Sequence, residues 1–294
     1  MDFRQLEMFH AVAKNSSFTQ AGKQLFVAQS AISRKIGLLE QELGEKLFKR
    51  LNKRIFLTPA GEVMLRYTRH IFQDLRNAAL EVSDIAQLNR GVLRIGSGMT
   101  ACMYLLPPVI EAFQARYPKV EIRVVTGTSE ALLSQLRNSE LDLGVLTLPV
   151  KCPDLEMIPF TTEELVVVVS PKHRVLATRR TVKAEDLKSY PMILFNHGTS
   201  TRWLIDEHFK RLGFQPHAVM ESESVATIKP LVRINLGISL LPLRAVAAEV
   251  KRGELHYLRI RAGKLTREIA LVVQKSDYKP KALVELMALF RSRG

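Results

Sequence analysis

Apolar residues recur at intervals of three and four over the first 45 positions of the chain, which is the spacing of amphipathic helices. The pattern predicts a first helix from Phe3 to about Asn15. A short second helix follows, with the Thr19 hydroxyl as its N-cap, and a longer third helix runs from Gln29 to Leu43. A short helix, a tight turn and a longer helix are typical of a helix-turn-helix.

The third helix has a polar side near its start. Its apolar stripe consists of Ala31, Ile32, Ile36, Leu39 and Leu43. The side chains left free are hydrogen-bonding types: Gln29, Ser30, Ser33 and Arg34. Gln and Arg can bond base edges and Ser can bond bases or phosphates, so this side is a candidate DNA-reading face. An ordinary solvated helix face is the alternative.

Two short apolar stretches, residues 46–50 and 54–57, predict a β-hairpin after the third helix. The hairpin region carries five cations in nine residues with no acidic residue among them: Lys46, Lys49, Arg50, Lys53 and Arg54. Such a run is often only a solvated loop. Beside a helix-turn-helix, however, a cationic hairpin is typical of a wing that lies over the DNA backbone or the minor groove.

A long helix is predicted from Pro59 to about Leu88, capped by the Thr58 hydroxyl. Two rows of residues within it repeat every seven positions: Met64, Ile71, Ala78 and Ile85, and Thr68, Leu75 and Val82. Heptad rows predict a coiled-coil seam that pairs two subunits. An ordinary helix packed on its own domain is the competing interpretation.

From residue 91 onward, strand and helix patterns alternate. Strands 92–95, 121–126 and 141–146 with helices 104–117 and 129–138 predict a parallel α/β lobe. A second lobe begins near Glu164, and a last strand, 269–274, with a helix, 279–293, returns to the first lobe.

The fold class is therefore α/β with an N-terminal winged helix-turn-helix, a long linker helix and a two-lobed α/β domain. The expected boundaries are 1–58 for the winged helix-turn-helix, 59–88 for the linker helix and 89–294 for the two-lobed domain, which the residues below mark as effector-binding. Within the last, lobe I covers about 91–162 and 266–294, and lobe II about 163–265.

Small polar residues occupy the turns after four of these strands, where ligands bind in parallel α/β sheets. The candidate effector-binding residues are Ser97, Gly98, Met99, Thr100, Thr126, Thr128, Ser129, Asn196, His197, Thr199, Thr201, Arg202 and Ser222. Hydroxyls and positive helix ends favour an anionic group, so we expect a small anionic metabolite such as an organic acid. Any single hydroxyl among them can equally be a helix cap.

The segment LEMFHAVAKNSSFTQAGKQLFVAQSAISRKIGLLEQELGEKLFKR, followed by LTPAG, resembles the N-terminal domain of LysR-type transcriptional regulators. The order of later elements extends the resemblance to essentially the whole chain. It implies that Thr19, Gln29, Ser30, Ser33 and Arg34 lie at the DNA, with Arg50, Lys53 and Arg54 in the wing.

The same resemblance implies a periplasmic-binding-protein-like effector domain that binds a co-inducer. It also implies a homodimer through the linker helix, a tetramer of two dimers, and contact with RNA polymerase. Some members bind dicarboxylates with an arginine after the strand that reads 144–148 here, but this chain has none there. Arg202 is the substitute, or it faces solvent.

A formal net charge of +14 over 294 residues favours a polyanionic partner such as double-stranded DNA. No stretch has the length and hydropathy of a membrane span, and the N-terminus lacks a secretion signal, so a cytoplasmic protein without membrane contact is expected. The two cysteines show no metal-ligand spacing, and we expect no metal and no cofactor besides the co-inducer.

Two other classes of function compete with a DNA-binding regulator. An enzyme is disfavoured because the chain has no phosphate-binding glycine loop, no nucleophile elbow and no paired metal ligands. A thiol-based redox sensor rests on Cys102, which lies near a predicted helix N-terminus where thiol pKa values fall. Cys152, before Pro153, has no evident partner.

Overall fold

The computed structural model describes residues 1–51, 54–85, 91–261, 263–276 and 278–293. By its internal contacts the chain divides into two compact units, residues 1–82 and 83–294. Among the described helices, none is both long enough and apolar enough to cross a bilayer.

The first unit opens with three helices, α1 (Phe3–Asn15), α2 (Phe18–Leu25) and α3 (Gln29–Leu43). The predicted cap of α2 was wrong, because Ser17 occupies that position and its hydroxyl accepts a hydrogen bond from the Gln20 backbone. Thr19 lies instead in the first turn of α2. The predicted inward stripe of α3 is buried at Ile32, Ile36 and Leu39, whereas Ala31 is half-buried and Leu43 is exposed.

The predicted hairpin consists of β1 (Phe48–Leu51) and β2 (Arg54–Leu57), paired antiparallel. The following helix, α4 (Pro59–Ile85), begins as expected, because the Thr58 hydroxyl accepts a hydrogen bond from the Gly61 backbone at 3.0 Å. Gly61 permits a close approach of hairpin and helix, since a Cβ there would lie 2.1 Å from the Leu47 carbonyl oxygen.

The two heptad rows of α4 have different surroundings along the helix. Met64 packs against the hydrophobic cluster around Phe9, and Thr68 is fully buried within the first unit. Further along, Ile71, Leu75 and Val82 are exposed. The first turns of α4 therefore pack on their own unit, and the apolar row that remains open begins at Ile71. The side chain of Ile85 and residues 86–88 lie outside the described part.

Lobe I of the second unit is a parallel sheet covered by helices. Its elements are β3 (Gly91–Ser97), α5 (Met99–Tyr104), α6 (Leu106–Arg116), β4 (Val120–Thr126), α7 (Ser129–Arg137) and β5 (Leu143–Thr147). Strand β3 lies between β4 and β5 and is parallel to both. The predicted helix 104–117 is α6, which begins at Leu106 because Pro107 and Pro108 lack backbone N–H groups and fit only in a first helical turn, whereas the short helix α5 before it was not predicted.

A long strand, β6 (Leu155–Val169), leads into lobe II. The elements that follow are β7 (Thr181–Val182), a 3-10 helix (Ala184–Ser189), β8 (Met192–Phe195), α8 (Ser200–Arg211), β9 (Ala218–Ser222), α9 (Val225–Arg233), β10 (Ser239–Pro242), α10 (Leu243–Lys251) and β11 (His256–Ile260). Strands β10 and β11 pair antiparallel with β6, and β8 pairs parallel with β9. The core of this lobe forms around the fully buried segment 165–169 of β6.

Strand β12 (Leu265–Gln274) then returns to lobe I and is followed by α11 (Lys281–Arg291). It pairs antiparallel with β6 over its whole length, from Leu265 opposite Leu165 to Gln274 opposite Leu155. The apolar run 165–169 had predicted a strand at the start of lobe II, but β6 begins ten residues earlier, at Leu155, and β12 begins at Leu265 rather than 269. The two lobes therefore share one sheet through β6 and β12.

Candidate functional site

The candidate DNA-reading residues lie on the open side of the first unit. Gln29, Ser30 and Arg34 are exposed on the first turns of α3, and Ser33 is half-buried. Thr19 on α2 and Arg54 on β2 are also exposed. Of the remaining wing residues, Lys53 and the side chain of Arg50 lie outside the described part. The buried stripe of α3 faces the core and leaves Gln29, Ser30 and Arg34 available to a partner.

A buried carboxylate joins α3 to the hairpin. Glu40 accepts hydrogen bonds from the Leu47 backbone at 2.9 Å and from Lys46 Nζ at 2.8 Å. Its burial makes these bonds stronger than surface contacts would be. Glu40 therefore fixes the start of the wing against the helix that carries Arg34.

A cavity of about 240 Å³ opens in the second unit, between lobe I and lobe II. Its lining comes from the segments after β3, β4 and β9, the last residues of β5 and β8, the start of α8, and β12. The lining residues are Gly98, Met99, Thr100, Ala101, Thr126, Gly127, Thr128, Ser129, Thr147, Phe195, Thr199, Ser200, Thr201, Glu223 and Arg267. We refer to this space as the cleft.

Eight of the thirteen candidate effector residues line the cleft: Gly98, Met99, Thr100, Thr126, Thr128, Ser129, Thr199 and Thr201. Ser97 is fully buried, and its hydroxyl donates to the Gly98 carbonyl. Asn196 and Ser222 are not among the residues that line the cleft, and both make local hydrogen bonds that shape their turns. For these last two residues the alternative, turn formation, fits the geometry.

Two helices, α7 and α8, begin at the cleft. Thr128 caps α7 through a bond from the Ala131 backbone, and Thr199 caps α8 through a bond from the Arg202 backbone. The next residues, Ser129 and Ser200, are hydrogen-bonded to each other across the lobes with Oγ atoms 3.1 Å apart. The positive ends of both helices thus face one space.

The arginine in the cleft is Arg267, which sequence reasoning missed. It is only 3% exposed and donates to Glu163 Oε2 from Nε at 2.9 Å and from Nη2 at 2.6 Å. Its Nη1 donates to the Thr201 hydroxyl at 2.9 Å. A guanidinium has five N–H groups, and these three bonds leave two without an acceptor among the described residues.

Arg202 has a different environment from the one expected. Its guanidinium donates to Asp206 at 2.8 Å, to Glu221 at 2.8 Å and to the Phe195 carbonyl at 2.7 Å, and it contacts His197. These bonds hold the pKa of the Glu221 carboxyl below its usual value. Arg202 and His197 line a second, more open cavity of about 450 Å³ outside the cleft, together with Trp203. Arg202 is therefore already bonded to two carboxylates and is not the arginine that faces the cleft.

The charge of the cleft is mixed. Arg267 is balanced by Glu163, which does not line the cleft, while the exposed carboxylate Glu223 does line it. Sequence reasoning also missed Ala101, Thr147 and Phe195, whereas Gly127, Ser200 and Glu223 lie in the predicted polar turns but were not among the candidate residues. One signal was available for Arg267: it alternates with Leu265 and Ile269 at the inward positions of a strand, where a charge has a specific partner.

Neither thiol has the environment of a reactive cysteine. Burial raises the pKa of the Cys102 thiol, and burial together with Asp154 raises that of Cys152. Cys152 packs in a cluster with Val272, whereas Ala101, next to Cys102, packs in the cluster with Leu271 on the opposite face of the sheet. In the described residues, no group of three or more His, Cys, Asp or Glu side chains has the arrangement of a metal site.

Comparison with known proteins agrees with this arrangement. Residues 3–62 match the family model for the bacterial regulatory helix-turn-helix protein of the lysR family, and residues 86–294 match the LysR substrate binding domain. The chain is 32% identical over 256 residues to the HTH-type transcriptional regulator CzcR of Bacillus subtilis, covering 87% of this chain and 85% of that protein.

Solved structures show the same fold. A full-length OxyR variant from Pseudomonas aeruginosa superposes with a TM-score of 0.79 at 24% identity, covering 99% of this chain and 95% of that one. The effector binding domain of QuiR, solved in complex with shikimate, gives a TM-score of 0.62 at 25% identity and covers 70% of this chain and 97% of that one. The chain belongs to the LysR family of DNA-binding transcriptional regulators, with a helix-turn-helix domain, an effector-binding domain and no enzymatic role.

Proposed function

We propose that this regulator reads DNA through α3 and the wing, and that a small carboxylate bound in the cleft controls it. The observation that carries the proposal is Arg267, a buried guanidinium that lines the cleft with two N–H groups left for a ligand. Planar bidentate donation from arginine matches a carboxylate. QuiR, a related domain, binds shikimate, which is itself a carboxylate.

The rest of the lining narrows the class of ligand. A second anionic group near Glu223 would be repelled, whereas a hydroxyl or amino group could donate to that carboxylate. The threonine and serine hydroxyls around the cleft offer both donors and acceptors. A volume of about 240 Å³ lies at the small end of ligand sites. We therefore propose a small carboxylate that also bears hydrogen-bond donors.

The test uses the one tryptophan of the chain, Trp203, which lies on α8 just after the cleft residues Thr199 and Thr201. A panel of small hydroxy acids and amino acids, with their neutral amides as controls, is titrated while Trp203 fluorescence and the melting temperature are recorded. At least one acid should shift both, and its amide should shift neither. If no acid in the panel changes either quantity, the proposed ligand class is wrong.

Variants locate the binding. Arg267→Lys keeps the charge beside Glu163 but loses the planar fork, so affinity should fall about tenfold or more. Arg244→Lys is the matched control, because Arg244 reaches Glu163 at 3.9 Å but does not line the cleft. An equal loss of ligand affinity in both variants would show that Arg267 does not bind the ligand directly.

We also infer a homodimer that pairs through α4. The exposed apolar side chains of Ile71, Leu75 and Val82 support it, because they come from the two heptad rows and alternating spacings of three and four residues between two such rows are the pattern of helix pairing. Leu75→Lys should shift sedimentation toward the monomer, whereas a tetramer of two dimers and contact with RNA polymerase stay predictions. An unchanged sedimentation coefficient for Leu75→Lys would contradict the α4 interface.

The proposal keeps the domain division 1–58, 59–88 and 89–294. The lobe boundaries near 163 and 265 are supported by β6 and β12, which cross between the lobes close to these positions. The binding of effector in one domain and DNA in another would be linked through one conformational equilibrium, so each ligand would change the affinity for the other by the same factor.

A further inference from the structure

Phe26 stands out in the first unit because it is 96% exposed, more than any other large apolar side chain in the described residues. It lies in the turn between α2 and α3, three positions before Gln29. Because nearly all of the Phe26 ring is in contact with water, the ring contributes almost nothing to the stability of the free protein through burial. Its position next to the DNA-reading helix suggests a contact made only in the complex.

The backbone at Phe26 is also unfavourable for this residue. Its φ of 55° and ψ of 42° are left-handed, a conformation that glycine adopts easily and bulky residues rarely do. The turn has the hydrogen bonds of a Schellman motif, from the Val27 N–H to the Gly22 carbonyl and from the Phe26 N–H to the Lys23 carbonyl. Phe26 thus occupies the position where glycine is the common residue.

The backbone of the turn that carries the Phe26 side chain is closely packed against α2. A Cβ on Gly22 would lie 2.7 Å from the Val27 carbonyl oxygen, so α2 and the turn approach each other closely. Ala28, Gln29 and Ser30, which follow, are all exposed. Val27 between them is half-buried and packs on the core, so Phe26 and the start of α3 are two exposed parts of one short, anchored segment.

We propose that Phe26 contacts a thymine methyl group in the major groove, beside the bases that Gln29 and Arg34 reach. The argument rests on the proposed placement of α3 at the DNA. A phenyl ring cannot hydrogen-bond, and the C5-methyl of thymine is the apolar group that base edges display in that groove. This contact would bury the exposed ring on binding and explain why an unfavourable residue occupies the turn.

The test needs a DNA duplex of known sequence. Full-length wild-type protein is used to select tight-binding duplexes from a random pool, and each thymine of the best duplex is then replaced in turn by uracil. Uracil pairs normally but lacks the methyl group. At one or two thymines per half-site the wild type should lose about fourfold in affinity, as expected for one buried carbon.

Phe26→Ala should bind the thymine duplex roughly tenfold more weakly and should not distinguish uracil from thymine at those positions. Val63→Ala, which also removes an exposed apolar side chain from the same unit, is the control and should behave as wild type. Phe26→Gly should bind DNA as weakly as Phe26→Ala. It should melt at a higher temperature than Phe26→Ala, because glycine removes the strain of the left-handed backbone.

Two results would overturn the inference. One is a wild type that shows no loss at any uracil position. The other is a Phe26→Ala protein that keeps both the affinity and the uracil pattern of the wild type. Arg34→Ala separates this failure from failure of the DNA-reading face: if Arg34→Ala loses sequence preference while Phe26→Ala changes nothing, only the role of Phe26 is refuted.

Discussion

Arg267 and Glu163 are directly opposite each other on β12 and β6, with Nη2 and Oε2 2.6 Å apart, where these two strands cross between the lobes. Both residues are buried. The same arginine lines the cleft and donates to Thr201 on α8. A ligand bound to Arg267 therefore touches the ion pair that joins the two crossing strands.

Variants of the Arg267–Glu163 pair should affect the stability of the protein and its response to ligand differently. Glu163→Gln removes the negative charge that balances the buried Arg267 and should lower the free energy of unfolding by about 3 kcal/mol. Combining Glu163→Leu with Arg267→Met replaces the pair by apolar groups and should recover most of that loss. The double variant should nevertheless fail to respond to the carboxylate that shifts the wild type.

Urea unfolding with and without that carboxylate checks both statements. Since the wild type carries Trp203 outside the pair, the same fluorescence signal serves all variants. A double variant that still responds to the ligand would contradict the role of Arg267.

A second contact between the lobes involves Tyr104 and Lys229. Lys229 Nζ lies 2.9 Å from the Tyr104 hydroxyl and 2.6 Å from Glu249 Oε1, and Tyr104 packs on the core of lobe II. Tyr104→Phe removes only the hydroxyl and should lower stability by about 1 kcal/mol. Hydrogen exchange should speed up at α9 and α10 and remain unchanged at α6. Uniform exchange changes across both lobes would argue against a local link.

The N-terminal unit should lose stability as the pH falls through the range of histidine. Burial, followed by the charges of Arg69, Lys14 and Arg76, lowers the pKa of His10 from its ordinary value of 6.5. Because the unfolded chain binds the proton more readily, the contribution of neutral His10 is present above about pH 6.5 and is lost as the pH falls through the lower folded-state value.

Melting temperatures between pH 7.5 and pH 5 measure this effect. His10→Phe keeps an aromatic ring beside Phe72 and should flatten the upper part of the pH profile. An identical slope in the two proteins would show that His10 does not titrate with unfolding.

Ser17 and Thr19 should have different roles. Ser17→Ala removes the cap of α2 and should lower the free energy of unfolding by about 1 kcal/mol. Its DNA affinity should fall only in proportion to the fraction of the protein that is unfolded. Thr19→Ala should leave unfolding nearly unchanged and weaken DNA binding, because Thr19 is exposed on the proposed DNA face. Melting temperature and DNA affinity, measured for both variants, distinguish the two roles. A loss of stability in Thr19→Ala but not in Ser17→Ala would show that Thr19 is the cap.

Sequence patterns located most elements because amphipathic spacing and caps are local signals. The bounds of α3 and the start of α4 at Pro59 follow from such signals. The cap of α2 was harder to place, since Ser17 and Thr19 are both good caps and only the packing of Phe18 selects the former. The short helix α5 was missed because the pattern at residues 97–100 predicted a turn, whereas α6 was predicted within two residues of its observed start.

The cleft was only partly predictable because its turns are local and its charges are not. Thr128 and Thr199 were found from their positions after strands and before helices. Arg267 was missed because its partner Glu163 lies 104 residues earlier in the chain, and nothing in either segment alone indicates the pairing. Arg202 was assigned to the effector from a loop position, whereas its bonds to Asp206 and Glu221 depend on side chains brought together by folding.

The central prediction is that α3 and the wing of the first unit bind DNA. Fluorescence anisotropy with the selected duplex across a salt series, for the wild type, Arg34→Ala and Arg54→Ala, tests this directly. We predict a steep salt dependence for the wild type, loss of sequence preference for Arg34→Ala, and uniformly weaker binding with a smaller salt slope for Arg54→Ala. Unchanged affinity and preference in both variants would contradict the assignment of α3 and the wing as the DNA-reading surface.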